Sequence, residues 1–356
     1  MASLLDRIPP SWLVVAVRSL LALPKPVRAL LGGSPIRSEG QTLDSDMRLL
    51  LRLVELENLS MSGATPEQGR AVLDASAPMT SGPTIPSQVR ELMVAGSIPA
   101  RLYTPVGLAD GSPLLVFFHG GGWVIGSLNT HDSTCRFLAE NAGARVLSVD
   151  YRLAPEHPFP AAVDDALAAF DHAVAHAEEL GADPALVAVG GDSAGGNLAA
   201  VVSHQRARSG GPVPVFALLF YPALDPSTRH PTRERYGEGL FLTDADMTWF
   251  EGHYLPDPAD RTDPRVAVLL AEDLSGFPPT YLATAAFDPL RDEGEEFAAR
   301  LREFGVPVAL RRQPDLIHGF VTFLGFGNRP REATAEAAGA LRAGFALAVT
   351  KKTKKT

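Results

Sequence analysis

Residues 186–197, Leu186-Val187-Ala188-Val189-Gly190-Gly191-Asp192-Ser193-Ala194-Gly195-Gly196-Asn197, pass from four apolar residues through a glycine-rich turn into an alanine-rich segment. The apolar run is too short for a helix and reads as a strand buried on both faces. The alanine-rich segment, to about Arg208, has helix-forming composition, so the glycines sit at a strand-to-helix turn. Within that turn lies Gly191-x-Ser193-x-Gly195. At this position the pattern is a nucleophile elbow: glycines let strand and helix approach closely, and the serine is lifted to the tip above the helix's positive end. The pattern alone is weak, and a glycine-rich turn that cradles phosphate is the other reading. The strand before it and the helix after it favour the elbow.

On either side of this turn, strand and helix signals alternate. Residues 89–94 and 98–104 read as a hairpin around Gly96. Strands are expected at 114–118, 145–149, 186–189, 215–221, 280–286 and 308–311, with helices at 161–180, 194–208, 291–304 and 331–349. Repeated strand–helix units give a mostly parallel eight-stranded sheet with helices on both faces, an α/β fold. Residues 225–264 break the rhythm with Pro, Arg, Asp and aromatic residues and read as an insertion. The first 86 residues are helical and loop segments, with an amphipathic helix at 43–56 and a Pro/Ser/Thr/Gly-rich linker at 77–86.

Ligands of open α/β sheets bind beyond the carboxyl ends of the strands, so chemistry is expected at those ends. After strand 114–118 comes His119-Gly120-Gly121-Gly122-Trp123. Consecutive glycines turn backbone N–H groups toward one point, which suits an oxyanion formed when a serine attacks a carbonyl. The expected donors are Gly121, Gly122 and Ala194, with Gly120 as a further one. His119 is expected to brace the loop rather than to move protons. Strand 280–286 ends at Asp288, and the last strand is followed by His318. Ser193, Asp288 and His318 thus stand after three different strands, in the chain order of a nucleophile, its acid and its base. Asp292, Glu293 and Asp315 are the competing carboxylates, with Asp292 the nearest rival. Asp292 belongs to the first turn of the next helix, and Asp315 sits too close in sequence to His318 to orient it. Trp123, Tyr221, Phe241 and Phe320 are candidate walls of a substrate pocket.

Composition bounds the remaining possibilities. A net charge of −9 disfavours a protein that binds nucleic acid through a broad basic face. A single cysteine, Cys135, excludes an intrachain disulfide and a cysteine metal cluster, and fits a reducing, cytoplasmic home. The apolar run 12–17 is interrupted by Arg18 and closed by Pro24 and Pro26, too short to span a bilayer. It reads as an amphipathic helix packed on the body, and the sharper alternative is a helix in weak contact with a membrane surface or one that covers an apolar substrate site. Residues 351–356, Lys-Lys-Thr-Lys-Lys-Thr, read as a basic disordered tail.

Taken together, His119-Gly120-Gly121-Gly122-Trp123, Asp150-Tyr151-Arg152-Leu153-Ala154-Pro155-Glu156, Gly191-Asp192-Ser193-Ala194-Gly195-Gly196-Asn197, Asp288-Pro289-Leu290-Arg291-Asp292-Glu293-Gly294 and His318-Gly319-Phe320 resemble the bacterial hormone-sensitive-lipase-like esterases of the α/β-hydrolase fold. The resemblance runs from about residue 89 to the last helix. It implies a helical cap built from residues 1–86 and the insertion near 225–264 on a catalytic domain of residues 87–350, with structural roles for Arg152 and Glu156. It also implies homodimers.

The expected activity is hydrolysis of short- to medium-chain carboxylic esters through a Ser193–His318–Asp288 triad and an acyl-enzyme, without metal or organic cofactor. The partner is then a small-molecule ester. Amide or carbamate hydrolysis, or a true lipase activity, uses the same triad. A non-catalytic binding protein, as in the plant gibberellin receptors that resemble this family, is disfavoured by His318, which those receptors lack.

Overall fold

The computed structural model describes residues 10–57 and 61–353. Eight strands form one sheet: β1 (Ser87–Val94), β2 (Ile98–Pro105), β3 (Ser112–Phe118), β4 (Arg145–Val149), β5 (Ala182–Asp192), β6 (Ala217–Phe220), β7 (Thr280–Phe287) and β8 (Val308–Ile317). Their spatial order is β8-β7-β6-β5-β3-β4-β2-β1. β1 pairs antiparallel with β2 and β2 with β4, and all other pairs are parallel. The α/β expectation holds, and the sequence order reverses around β3 and β5, which places the β5 end at a crevice in the sheet.

The sequence accounts for this arrangement element by element. β4 and β7 are buried along their whole length, as strands of a sheet covered on both faces are. Alternate residues of β3 feed two cores. Leu114, Val116 and Phe118 pack with α6 (Ala161–Ala175), α7 (Ala194–Ser209) and α10 (Arg291–Glu303). Leu115 and Phe117 pack on the opposite face with α5 (Asp132–Ala142) and α11 (Arg329–Thr353). The period-2 geometry of a strand produces that division.

Several boundaries differ from those expected. The helix expected over 161–180 ends at Ala175, after which the chain tightens into turns that close at Gly181 with φ +74°. β8 runs on to Ile317 with a register shift after Gln313, whereas the polar residues after Arg311 suggested an earlier stop. β8 lies at the sheet edge and pairs only with β7, so polar side chains cost it little. The last helix extends to Thr353, three residues into the stretch expected to be a disordered tail, and 354–356 lie outside the described residues.

Above the carboxyl ends of the strands lie α1 (Pro10–Leu21), α2 (Lys25–Leu31), α3 (Ser45–Glu57) and α4 (Pro66–Thr80) from the N-terminal region. With them are α8 (Pro231–Tyr236) and α9 (Asp244–Tyr254) from the insertion after β6. Arg70 of α4 ties this layer down. It donates to the carbonyls of Val124 and Ala154 at 2.8 Å each and forms a bidentate pair with Glu156. Arg152 pairs with buried Asp165 at 2.7 Å. Arg152 and Glu156 of the 150–156 segment therefore hold the backbone beside the glycine loop.

Candidate active site

Ser193 is the residue between β5 and α7, with φ +56° and ψ −118°. A non-glycine residue in this region is strained and persists only where its surroundings impose it. The imposition is visible at Gly195: a Cβ there would lie 1.9 Å from the Phe118 carbonyl oxygen, so β3 and the first turn of α7 meet at a distance that only glycine allows. Ser193 Nα donates to the Phe220 carbonyl, and its own carbonyl accepts from Ala223. The turn is thus fixed from both neighbouring strands.

The three residues expected to act together are brought together. His318 Nε2 lies 3.0 Å from Ser193 Oγ, and His318 Nδ1 lies 2.9 Å from Asp288 Oδ2. Asp288 is fully buried, and its second oxygen accepts the Leu290 N–H at 2.8 Å. Asp292, the competing acid, instead accepts from the Thr232 N–H and pairs with Arg291, away from His318. It is excluded as the partner of this histidine by that geometry.

Of the expected oxyanion donors, Gly121 and Gly122 give their N–H groups to no acceptor among the described residues. Ala194 opens α7, where an N–H has no intrahelical partner. Gly120 is different. Its N–H donates to Asp192 Oδ1 at 2.9 Å, so it is not an available donor. Gly122, at φ +59°, sits directly against Phe250 of α9, whose ring a Cβ would strike at 2.2 Å. His119 braces the loop as expected: its ring stacks on Tyr151 at 4.4 Å, and its Nδ1 meets the Gly120 carbonyl at 2.8 Å. Burial and the neighbouring His131 push its pKa down to about 4.

A cavity of about 240 Å³ opens over Ser193 and His318. Trp123 and Phe241 line it, as expected. Tyr221 and Phe320 do not. Tyr221 lies under the His318 ring at 4.5 Å and meets Phe320 edge-on at 5.0 Å, both fully buried, so they support the histidine rather than wall the pocket. The walls that the sequence did not single out come from the upper helices: Leu50 and Val54 of α3, Leu73 and Met79 of α4, and Met247 and Phe250 of α9. Their apolar spacing marks a helix face, but nothing in it says which side faces a cavity.

Two further groups stand at the site in roles other than those the sequence suggested. Asp192, one residue before the serine, pairs with His131 Nε2 at 3.0 Å as well as with Gly120. Burial alone would push its carboxyl up, but His131 and the Gly120 N–H hold it below the ordinary carboxylate range. His131 is steadied in turn by Thr130 Oγ1 at 2.8 Å from its Nδ1. Glu293 also reaches the cavity wall, accepting the Leu224 N–H at 2.6 Å. Burial pushes its pKa up to about 8, with nearby His230 and Leu224 opposing.

Comparison with known proteins gives concordant results. The profile of a family described by the alpha/beta hydrolase fold matches residues 115–322. The carboxylic ester hydrolase LipN of Mycobacterium tuberculosis is 45% identical over 345 residues, covering 92% of this chain and 90% of that protein. An ethyl acetate hydrolase of Pseudomonas putida is 37% identical over 293 residues, covering 79% and 92%. Among solved structures, the ester hydrolase EH1AB1 from the metagenome of Lake Arreo, complexed with a bipyridine phosphonate derivative, superposes with a TM-score of 0.81. It is 42% identical, over 85% of this chain and 99% of that one.

Proposed function

Since the chain belongs to the hormone-sensitive-lipase-like esterases of the α/β-hydrolase fold, we propose that it is a carboxylesterase whose nucleophile is Ser193, with His318 as its base and Asp288 as the acid that orients His318. The observation that carries this reading is the unbroken chain of hydrogen bonds from Asp288 through His318 to Ser193 at the floor of an apolar cavity.

In this reading the Ser193 hydroxyl proton passes to His318 Nε2 as Oγ attacks the ester carbonyl carbon. The carbonyl oxygen becomes an oxyanion held by the N–H groups of Gly121, Gly122 and Ala194. Collapse of the tetrahedral intermediate expels the alkoxide, which takes the proton from His318 and leaves as an alcohol. A water then gives a proton to His318 and attacks the acyl-enzyme, and the carboxylic acid departs as Ser193 regains its proton. Asp288 holds the Nδ1–H throughout and stabilises the imidazolium that forms at each attack. Helices α1, α3 and α4 and residues 225–264 act as the cap that encloses the acyl chain.

The test is hydrolysis of p-nitrophenyl butyrate by the parent and by Ser193→Ala. Loss of the nucleophile is expected to lower kcat/KM by on the order of 10⁴-fold or more with an unchanged melting temperature. Activity of the variant within tenfold of the parent removes Ser193 from the mechanism.

A further inference from the structure

The upper layer has an outer surface that the chemistry at Ser193 does not use. α2 has no buried residue. Val27, Leu30 and Leu31 lie on one face of α2 and, with Leu23 just before it, are exposed, Leu30 80% and Leu31 47%. Val15 of α1, 60% exposed, and Ile36 beyond α2 are further exposed apolar side chains of this region. A contiguous group of large exposed apolar side chains marks an interaction surface more often than accident.

Charge narrows the partner. The chain as a whole carries −9, yet between Asp6 and Glu39 the sequence has no acidic residue and five basic ones, Arg7, Arg18, Lys25, Arg28 and Arg37. Arg18 and Arg37 are exposed without an acidic partner among the described residues, and Lys25 is exposed beside Asp44 at 3.7 Å. Arg28 is turned inward to Asp46. Exposed leucines and valines interleaved with cations, free of acids, suit a surface that is anionic outside and apolar beneath.

The position of this face gives it a purpose. α1 presents Val17 to the cavity over Ser193 and Val15 to solvent. A surface resting on Val15 is therefore one helix, about 10 Å, from the cavity. We propose that the outer face of α1 and α2 docks on an anionic lipid surface, delivering membrane-dissolved esters to Ser193. The delivery step rests on the esterase reading above, whereas the docking does not.

The experiment uses the full chain in density-gradient flotation with vesicles of phosphatidylglycerol and phosphatidylcholine in equal parts, against vesicles of phosphatidylcholine alone. The parent is expected to float with the anionic vesicles and to be released by high salt. The variant Leu30→Glu/Leu31→Glu is expected to float at least about fivefold less, while its hydrolysis of p-nitrophenyl acetate without vesicles stays within about twofold of the parent. Hydrolysis of an ester dissolved in the anionic vesicles should fall with flotation. No flotation of the parent, equal flotation on both vesicle types, or a variant that floats like the parent overturns the proposal. So does a parent dimer that the variant dissociates, which assigns the face to a second copy. A parent that floats but hydrolyses no ester overturns the esterase reading and the delivery step, and leaves the docking standing.

Discussion

Asp288 and Asp292 stand four residues apart in sequence and meet different partners: Asp288 is fully buried against His318, whereas Asp292 is spent on Thr232 and Arg291. Asp288→Asn is expected to lower kcat on p-nitrophenyl butyrate by roughly 10³-fold or more, because the amide favours the wrong tautomer of His318. Asp292→Asn should change it by less than about threefold. A reversed order in steady-state kinetics assigns the acid to Asp292. Both candidates were legible in the sequence because each follows a recognisable strand. Tyr221 and Phe320 were not correctly placed, because an aromatic residue after a strand looks the same whether it lines a pocket or supports the histidine from below. Glu293 was legible only as a competing acid, and its burial was not, since the first turn of a helix is an ordinary place for a glutamate. Its consequence is thermodynamic. Its ordinary value of 4.5 is raised by burial to about 8, so between those limits the unfolded chain has released a proton that the folded protein retains. Stability therefore falls as pH rises through that window, and it levels off above it. Glu293→Gln keeps the acceptor for Leu224 and removes the titration. Its melting temperature relative to the parent is expected to climb between about pH 5 and about pH 8 in thermal scans, and a constant difference shows that Glu293 is ionised in the fold.

At the scale of elements, the β5–α7 turn and the loop after β3 are separate in sequence and joined by one carboxylate. Asp192 leaves the turn, accepts the Gly120 N–H and pairs with His131 at the start of α5. This tie fixes where Gly121 and Gly122 present their N–H groups relative to Ser193. Asp192→Ala is expected to lower kcat about 10²-fold with KM within about threefold, since a displaced oxyanion site weakens the transition state more than the bound ester. Asp192→Asn, which keeps an acceptor for Gly120, should fall between it and the parent. A raised KM with kcat intact shows instead that the tie shapes the pocket. The sequence reveals such elements unevenly. β3, β5 and α7 announce themselves through apolar runs and glycines, and α3 through its period. α4 is masked by Pro66, Gly69 and Pro78, although Pro66 occupies the first turn, where it is tolerated. The signal that could have marked its start is the pair Thr65 and Gln68, which form a reciprocal capping box. β8 was cut short because an edge strand tolerates the polar residues that end a central one.

For the molecule as a whole, the question is how much chain the cavity accepts. Its floor comes from the sheet, at Ser193 and His318, and its walls from two distant parts of the sequence, α3 and α4 on one side and α9 on the other. Burial of each methylene is worth ~0.8 kcal/mol, or about fourfold in kcat/KM, while room remains. The cavity, about 240 Å³, is bounded by these walls and so accepts an acyl chain of limited length. Beyond that length the added carbons meet Met247, Phe250 and the α3–α4 face, or return to water, and the gain reverses. In a p-nitrophenyl series kcat/KM should rise from acetate through butyrate, peak at or before octanoate, and fall by palmitate. Widening the wall moves the limit without touching the chemistry: Phe250→Ala opens space beside Gly122 and should shift the peak toward longer chains while the rate on acetate changes little. A series that climbs without a break to palmitate, with higher activity on an emulsion than on monomers, makes the cavity an open channel and the protein a true lipase. The apolar, basic face of α1 and α2 would then be its contact with the emulsion, whereas a peak at medium length confines that face to delivery.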